Sequence, residues 1–321
     1  MKVAVVMGGA SPEHAVSIAS GNGIVRAVEL LGHTAIPLLI DADGNWTDGQ
    51  HEAIEILQAC EVTIPALHGE GGEDGRLQGF LEQLHIPYVG SGIAASAIGL
   101  DKHLTKALLS AHGIPVTPGI TVRGADLTDT ELVLQQLKAA ELEFPLFVKP
   151  VNGGSSFGVT RAIDPVSLEA AIADAAIIDR HVLIEREMAG REIDLAVLEF
   201  PDGRVETAPA LEIHADPRQP FFNATAKYDS SRTRFSVPAL LEDGLPERLR
   251  RTALDVFEVL GCAGLARVDF FVPADGEPVV NEINTFPGFT PASQFPRMFA
   301  AAGMSYAEVV DTLIRTAVAR G

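Results

Sequence analysis

The sequence predicts a mixed α/β protein of two or three domains, opening on a doubly wound α/β unit. Three observations predict it. The chain has 321 residues, more than one compact core usually serves. Its first ninety-odd residues alternate buried strands with helices behind a glycine turn, the pattern of an α/β layer. Near the C-terminus two strand-like runs flank an Asp-Gly turn signal and carry polar residues on one face.

Lys2–Met7 reads as a fully buried strand. Gly8-Gly9-Ala10-Ser11 follows, and a helix begins near Pro12 or Glu13, so a strand, a glycine turn and a helix N-terminus form an anion-binding arrangement. A third spaced glycine is missing, so this is not the dinucleotide fingerprint. Taken alone, Glu13 reads as an acid complementing the helix dipole. Ala35–Ile40 is a second strand, and Val62–Leu67 a third, ending in the polar loop His68 to Gly75 that includes Glu73. Such a loop after a buried strand is where α/β domains place functional groups. Arg76–Leu84 has helical spacing, with Leu77, Phe80, Leu81 and Leu84 on one face. Pro87–Ser91 reads as a short strand, Ala94–Gly113 as a helix carrying Asp101-Lys102, and Thr128–Ala139 as a capped helix.

Phe144–Pro150 is a strand ending in Lys149, followed by Gly153-Gly154-Ser155-Ser156. This loop brings backbone N–H groups and two hydroxyls to an anion, with Lys149 as a compact positive charge. No Gly-Lys-Ser/Thr opens a helix, so it is not a Walker A loop. A second strand starting near Phe157-Gly158-Val159 makes it a flap on a hairpin; a flexible glycine hairpin beside an exposed lysine is the plainer alternative. Val182–Met188 is a strand that turns polar at Glu185. After Ala189-Gly190 a second strand carries Glu192, and this joint suits a nucleotide, its acids suiting ribose hydroxyls. Ordinary surface carboxylates would look the same. His214 to about Pro238 lacks periodicity and carries Lys227-Tyr228; a long irregular stretch in a compact domain is usually a functional loop or lid. Leu245–Leu260 is a helix stopped by Gly261.

The hairpin Ala266–Val272 and Val279–Asn284 is the most informative stretch. With Asp275-Gly276 as turn residues, Asp269 lies opposite Glu282 and Arg267 opposite Asn284, all on one face. Ala266, Val268, Phe270, Val272, Val280 and Ile283 form the apolar face. Opposed carboxylates repel unless a cation lies between them. The hard oxygens of Asp269, Glu282 and Asn284 suit Mg²⁺ or Mn²⁺ held together with a phosphate. Gly288 and Ser293 follow as further anion donors, leading into an apolar helix-like run.

The formal charge is −19, which argues against a nucleic-acid or anionic-membrane binder. Cys60 and Cys262 have no metal-like spacing and read as small buried apolar residues. The opening apolar run is too short for a signal peptide, and none is long enough to span a bilayer. A cytoplasmic enzyme is the expectation.

These pieces, in this order, resemble the ATP-grasp superfamily and, more narrowly, the D-alanine–D-alanine ligases. The resemblance covers Gly8 to Gly21, His68 to Glu82, Asp101-Lys102, Val148 to Gly158, Glu185 to Glu192, Ala226-Lys227-Tyr228, Arg267 to Asp269 and Asn281 to Ser293. It implies an N-terminal α/β substrate domain (1–97), a central domain with the glycine flap (98–188) and a C-terminal domain with metal site and lid (189–321), the last two sandwiching ATP. It implies that ATP phosphorylates one D-alanine and a second attacks the acyl phosphate. By resemblance, Asp269, Glu282 and Asn284 hold a pair of Mg²⁺ or Mn²⁺ ions, and Lys102, Lys149, Ser156 and Lys227 contact ATP phosphates. Glu185, Met188 and Glu192 lie at adenine and ribose. Glu13 takes the first substrate's ammonium, Arg267 and the Gly288 N–H face the oxyanion, and Ser293, with Arg267 as a further candidate, takes the second carboxylate. His68, Glu73, Ser155 and Tyr228 tie flap and lid to the substrates. A homodimer is expected.

Asn223 and Thr225 stand where the family places acids, and Gln294 where it places an aliphatic residue or methionine. Gln294 keeps open another acceptor, such as D-serine. A nucleotide-binding regulator without catalysis and an NAD-dependent dehydrogenase are the rival classes; the first is opposed by the intact Arg267, Asp269, Glu282 and Asn284, the second rests only on Gly8-Gly9.

Overall fold

The computed structural model describes residues 1–214, 234–274 and 276–321. Asn223, Thr225, Lys227, Tyr228 and Asp275 lie outside the described residues. Among the described residues, three sheets carry the architecture, and no helix is long and apolar enough to cross a membrane.

The first sheet is parallel. Strand β1 (Lys2–Gly8) runs between β2 (Thr34–Ile40) and β3 (Val62–Pro65). Its residues 3–8 are all buried, as a strand covered on both faces requires. Helix α1 (His14–Leu30) packs on one side, while α2 (Gln50–Gln58) and α3 (Arg76–Gln83) supply Leu57, Leu77 and Leu81 to a second apolar cluster. The glycine turn after β1 is a steric necessity. Gly8 has φ +94°, and a Cβ there would sit 2.1 Å from the Ile40 carbonyl oxygen. The expected strand at Pro87–Ser91 is only a bridge between Thr63 and Tyr88.

The expected single helix from Ala94 to Gly113 is two, α4 (Ile93–Leu100) and α5 (Lys102–Ala111). Asp101 takes an extended backbone, and its carboxylate accepts from the Leu104 N–H at 2.8 Å. An Asp that caps one helix necessarily ends the one before it. The break fixes where Lys102 starts the new helix.

The second sheet is antiparallel, in the order β4 (Gly119–Arg123), β7 (His181–Arg186), β5 (Leu146–Pro150), β6 (Thr160–Ala162). Strand β6 begins later than the Phe157 start that the sequence suggests, because Ser155 and Ser156 both take positive φ and extend the turn. Helices α6 (Thr130–Ala139) and α7 (Pro165–Ile178) cover it, burying Val133, Leu137, Leu168 and Ile172 against Leu146, Val148, Val182 and Ile184. Asp164 and Ser167 close a capping box with Pro165 in the first turn of α7.

The third sheet has the path β11 (Arg234–Ser236), β10 (Leu211–His214), β8 (Arg191–Glu199), β12 (Leu265–Val272), β13 (Val279–Asn284), with β9 (Val205–Thr207) also on β8. Helix α8 (Leu245–Val259) packs Leu249, Val256 and Phe257 onto its Val268 and Phe270 face. Helices α9 (Gln294–Ala301) and α10 (Tyr306–Arg320) join this sheet to α1 and β1 through Phe289, Phe295 and Leu313.

The hairpin register is as expected where it matters: Arg267 pairs with Asn284 and Asp269 with Glu282. Beyond that the register shifts, and Phe270 pairs with Val280. The supposed two-residue turn is thus a wider loop between Val272 and Val279. Asn281 is the extra residue of a bulge. This explains why Val280 and Ile283, three apart, are both buried, which a regular alternation forbids.

Candidate active site

Two cavities open between the second and third sheets and toward the first, sharing Lys102, Gly153, Phe157, Arg267, Glu282 and Gln294 in their walls. One, of about 360 Å³, takes Lys149 from β5, Ser156 from the flap, Glu185 from β7, Met188 from the joint, Glu192 and Asp194 from β8, Asp269 from β12 and Asn281 from β13. The other, of about 710 Å³, takes Glu13, His68, Glu73, Ser155, Asn284, Gly288 and Ser293.

The first cavity is built on a buried charge cluster. Glu185 is 2% exposed, with Lys106 Nζ 2.6 Å from one carboxylate oxygen and Lys149 paired to the other. Burial pushes this carboxyl up, but the two lysines outweigh it and hold it below the usual carboxylate range. For Lys106 burial dominates instead and pulls the ammonium down to about 8. The Lys106 approach is one of charges: its Nζ and Glu185 Oε1 lack hydrogen-bond geometry. Lys149 also donates to Asn281 Oδ1 at 3.4 Å, and Lys102 to the Gly153 carbonyl at 2.5 Å, with Glu282 3.9 Å away.

Arg267 lies at the meeting of the cavities and is 8% exposed. Its Nε and Nη2 donate to the two oxygens of Asp269 at 2.6 and 2.7 Å, and Asn284 donates to Asp269 at 3.1 Å. Burial alone would pull this guanidinium down, but the charge and hydrogen bonds of Asp269, with Asp194 and Glu282 behind, hold it above its ordinary range.

In the second cavity, the Ser155 hydroxyl donates to Glu13 Oε1 and so ties the flap to the turn after β1. Glu73 accepts from the backbone N–H groups of Gly69 at 2.7 Å and Phe286 at 3.3 Å. Burial first, and Glu13 second, push its carboxyl up to about 8. Burial likewise holds the His68 imidazole down, that is, neutral. Its Nδ1 donates to the Phe286 carbonyl at 3.2 Å, so its Nε2 accepts from Ser20 at 3.0 Å. Ser293 Oγ lies 3.0 Å from the Thr290 N–H and 2.8 Å from its hydroxyl.

A family model described as D-ala D-ala ligase C-terminus matches residues 108–315, and one described as D-ala D-ala ligase N-terminus matches 2–58 and 49–91. The chain belongs to the D-alanine–D-alanine ligase family. Among relatives named D-alanine–D-alanine ligase, that of Nocardia farcinica is 41% identical over 362 residues, spanning 100% of this chain and 98% of the relative. That of Mycolicibacterium smegmatis is 39% identical over 365 residues, with 100% and 96% covered. The D-alanine–D-alanine ligase structure from Coxiella burnetii matches with a TM-score of 0.85 at 30% identity, covering 100% of this chain and 94% of that one. The VanG D-Ala:D-Ser ligase from Enterococcus faecalis matches with a TM-score of 0.85 at 32% identity, covering 98% and 99%. These neighbours have the ATP-grasp fold, and this member shares it.

Apart from Lys227 and Tyr228, which are not described, each site residue read from the sequence lines one or both cavities. Four residues near them were missed. Lys106 lies one helical turn after Lys102, so its spacing was a usable signal. Asp194 follows Glu192 by two along β8, hence shares its face. Asn281 needs the bulge to reach the cavity, and Ser20 shows no signal within α1.

Proposed function

We propose that this ligase-family chain joins two D-alanine molecules at the expense of ATP through an acyl phosphate, for peptidoglycan precursor synthesis. One observation carries the reading: ATP-type and amino-acid-type cavities meet at Arg267, beside the opposed Asp269–Glu282 pair. The family membership supports ATP and D-alanine as substrates.

Asp269, Glu282 and Asn284 are the residues that would hold Mg²⁺ or Mn²⁺, as a pair of ions. The donor set fits: two carboxylates and an amide offer hard oxygens and leave positions for phosphate oxygens. Among the described residues no larger His, Cys, Asp or Glu cluster competes with it. A divalent cation there supplies charge neutralisation at the transferring phosphate.

Lys102, Lys149 and Ser156 hold phosphates, with Lys227 joining from the lid. Glu185 and the Met188 backbone bind adenine, Glu192 the ribose. Glu13 anchors the donor ammonium, and Ser155 closes the flap over it; the supporting role that the resemblance gives Tyr228 falls outside the described residues. Once the donor carboxylate is phosphorylated, the acceptor amine attacks the acyl carbon and phosphate leaves. Arg267 and the Gly288 N–H stabilise the oxyanion of that step. Ser293 binds the acceptor carboxylate. His68 and Glu73 fix the loop on which the donor sits. We divide the chain at 1–97, 98–188 and 189–321, and expect a cytoplasmic homodimer.

Gln294 favours one second reading: its polar carboxamide lines the cavity wall, so an acceptor such as D-serine is the alternative. Phosphate release with ATP, Mg²⁺ and D-alanine, followed by product mass, tests both. A D-alanyl-D-alanine mass is expected, and D-alanyl-D-serine dominating in mixed substrates would favour the alternative. Glu282→Gln should cut turnover about 10³-fold, as loss of a preorganised electrostatic term does. Near-normal turnover would remove the hairpin from the metal site.

A further inference from the structure

We propose that Asp194 and Gln294 form a positioning pair for Arg267, Asp194 holding the guanidinium and Gln294 holding Asp194. The inference rests on the ligase reading and extends it to residues that the reading leaves without a role.

Asp194 on β8 stands directly across from Asp269 on β12. Two carboxylates facing one another across a ladder repel, and Asp194 is 2% exposed, so water does little to relieve it. Arg267 answers both acids: its Nε lies 2.6 Å from Asp269 and 3.4 Å from Asp194. Gln294 Nε2 donates to Asp194 Oδ2, the same oxygen that faces Arg267, at 2.8 Å. A carboxylate only accepts, so this contact fixes the amide's orientation.

The arrangement has a consequence for the reaction. Asp269 is in the metal-holding set, and a cation there competes for the oxygens that Arg267 uses. Asp194 is outside that set. It leaves Arg267 with a carboxylate partner when Asp269 is engaged, and so keeps the guanidinium aimed at the meeting of the cavities. Gln294 is the first residue of α9, immediately after Ser293. Acceptor-side helix and oxyanion donor are thereby linked through one buried carboxylate.

The test compares Asp194→Asn, Gln294→Leu and the double variant, with ATP and D-alanine varied separately and phosphate and dipeptide both counted. Asp194→Asn should lower kcat about 10- to 100-fold, the worth of a charge-assisted contact made in the transition state, with KM for ATP within about twofold. Phosphate released per dipeptide should rise, because an acyl phosphate met by a misplaced Arg267 is lost to water. Gln294→Leu should cost about 3- to 10-fold, and the double variant no more than Asp194→Asn alone, since Gln294 acts through Asp194.

Losses that multiply in the double variant would overturn the proposal, as would wild-type kcat in Asp194→Asn. If Asp194→Asn does not fold, Gln294→Leu carries the test: an unchanged phosphate-to-dipeptide ratio would overturn it. Wild-type protein making no dipeptide would overturn the ligase reading and this proposal with it, whereas dipeptide formation with unaffected variants overturns the proposal alone.

Discussion

Glu185 and Glu73 are the same residue type, each ringed by protein at a cavity floor, and their environments push them in opposite directions. Glu185 has two ammonium groups on its carboxylate and is held ionised. Glu73 has only two backbone N–H groups, with the carboxylate of Glu13 nearby, and is pushed up to about 8. Glu73 is half-buried and lines the second cavity. Burial acts on both; what differs is whether positive charge comes from the protein. Glu185 has its cations from the protein, whereas Glu73 has a neighbouring carboxylate and only the weaker pull of Arg267 to oppose it.

Removing protein charge from the complete cluster gives the largest expected effect. Lys106→Met leaves Glu185 with Lys149 alone, and breaking a buried ion pair costs about 3–5 kcal/mol. Chemical denaturation should show a loss near the lower end, because one lysine remains, together with weakened ATP binding. A loss below about 1 kcal/mol, the scale of an exposed pair, would mean that Lys149 suffices and that the contrast with Glu73 is overdrawn.

This contrast was half legible in the sequence. Period-two alternation showed which hairpin residues share a face, because a buried face constrains every second position. Strand, glycine turn and helix showed the Glu13 region for a similar reason: local geometry dictated local composition. Charge compensation is different. Lys106 on α5 meets Glu185 on β7 only through the tertiary fold, and Asp194 meets Arg267 only through strand pairing. Long-range pairing leaves no mark near either residue. The bulge at Asn281 and the break at Asp101 fall between, since each is a single-residue event inside a pattern that otherwise continues.

Glu13→Gln sharpens the comparison from the other side. It removes the neighbouring charge that raises Glu73 and, in the ligase reading, the partner of the donor ammonium. A hydrogen bond to a charged group is worth about 1.5–3 kcal/mol, so kcat/KM for D-alanine should fall about 10- to 150-fold. Nucleotide affinity, measured by direct titration, should stay unchanged, because the Glu185 cluster is untouched. Equal losses for both ligands would show that the cavities do not separate electrostatically.

The smallest effect is read as a slope. Between the ordinary glutamate value of 4.5 and about 8, the folded protein keeps on Glu73 a proton that the unfolded chain has lost. Stability contributed by this group therefore falls as pH rises through that window, by at most about 1.4 kcal/mol per pH unit. His68 acts oppositely: held neutral when folded, it adds stability with rising pH, but only up to its ordinary value of 6.5. The window from 6.5 to about 8 thus isolates Glu73 from His68. Urea midpoints should decline across it in the wild type and stay flatter in Glu73→Gln. The glutamine's own cost, an amide N–H₂ facing a backbone N–H, does not depend on pH and leaves the slope readable. D-alanine should flatten the wild-type slope as well, since its ammonium on Glu13 offsets the charge that raises Glu73 and lets Glu73 ionise. A slope that survives Glu73→Gln would place the titrating group elsewhere and leave the two glutamates alike.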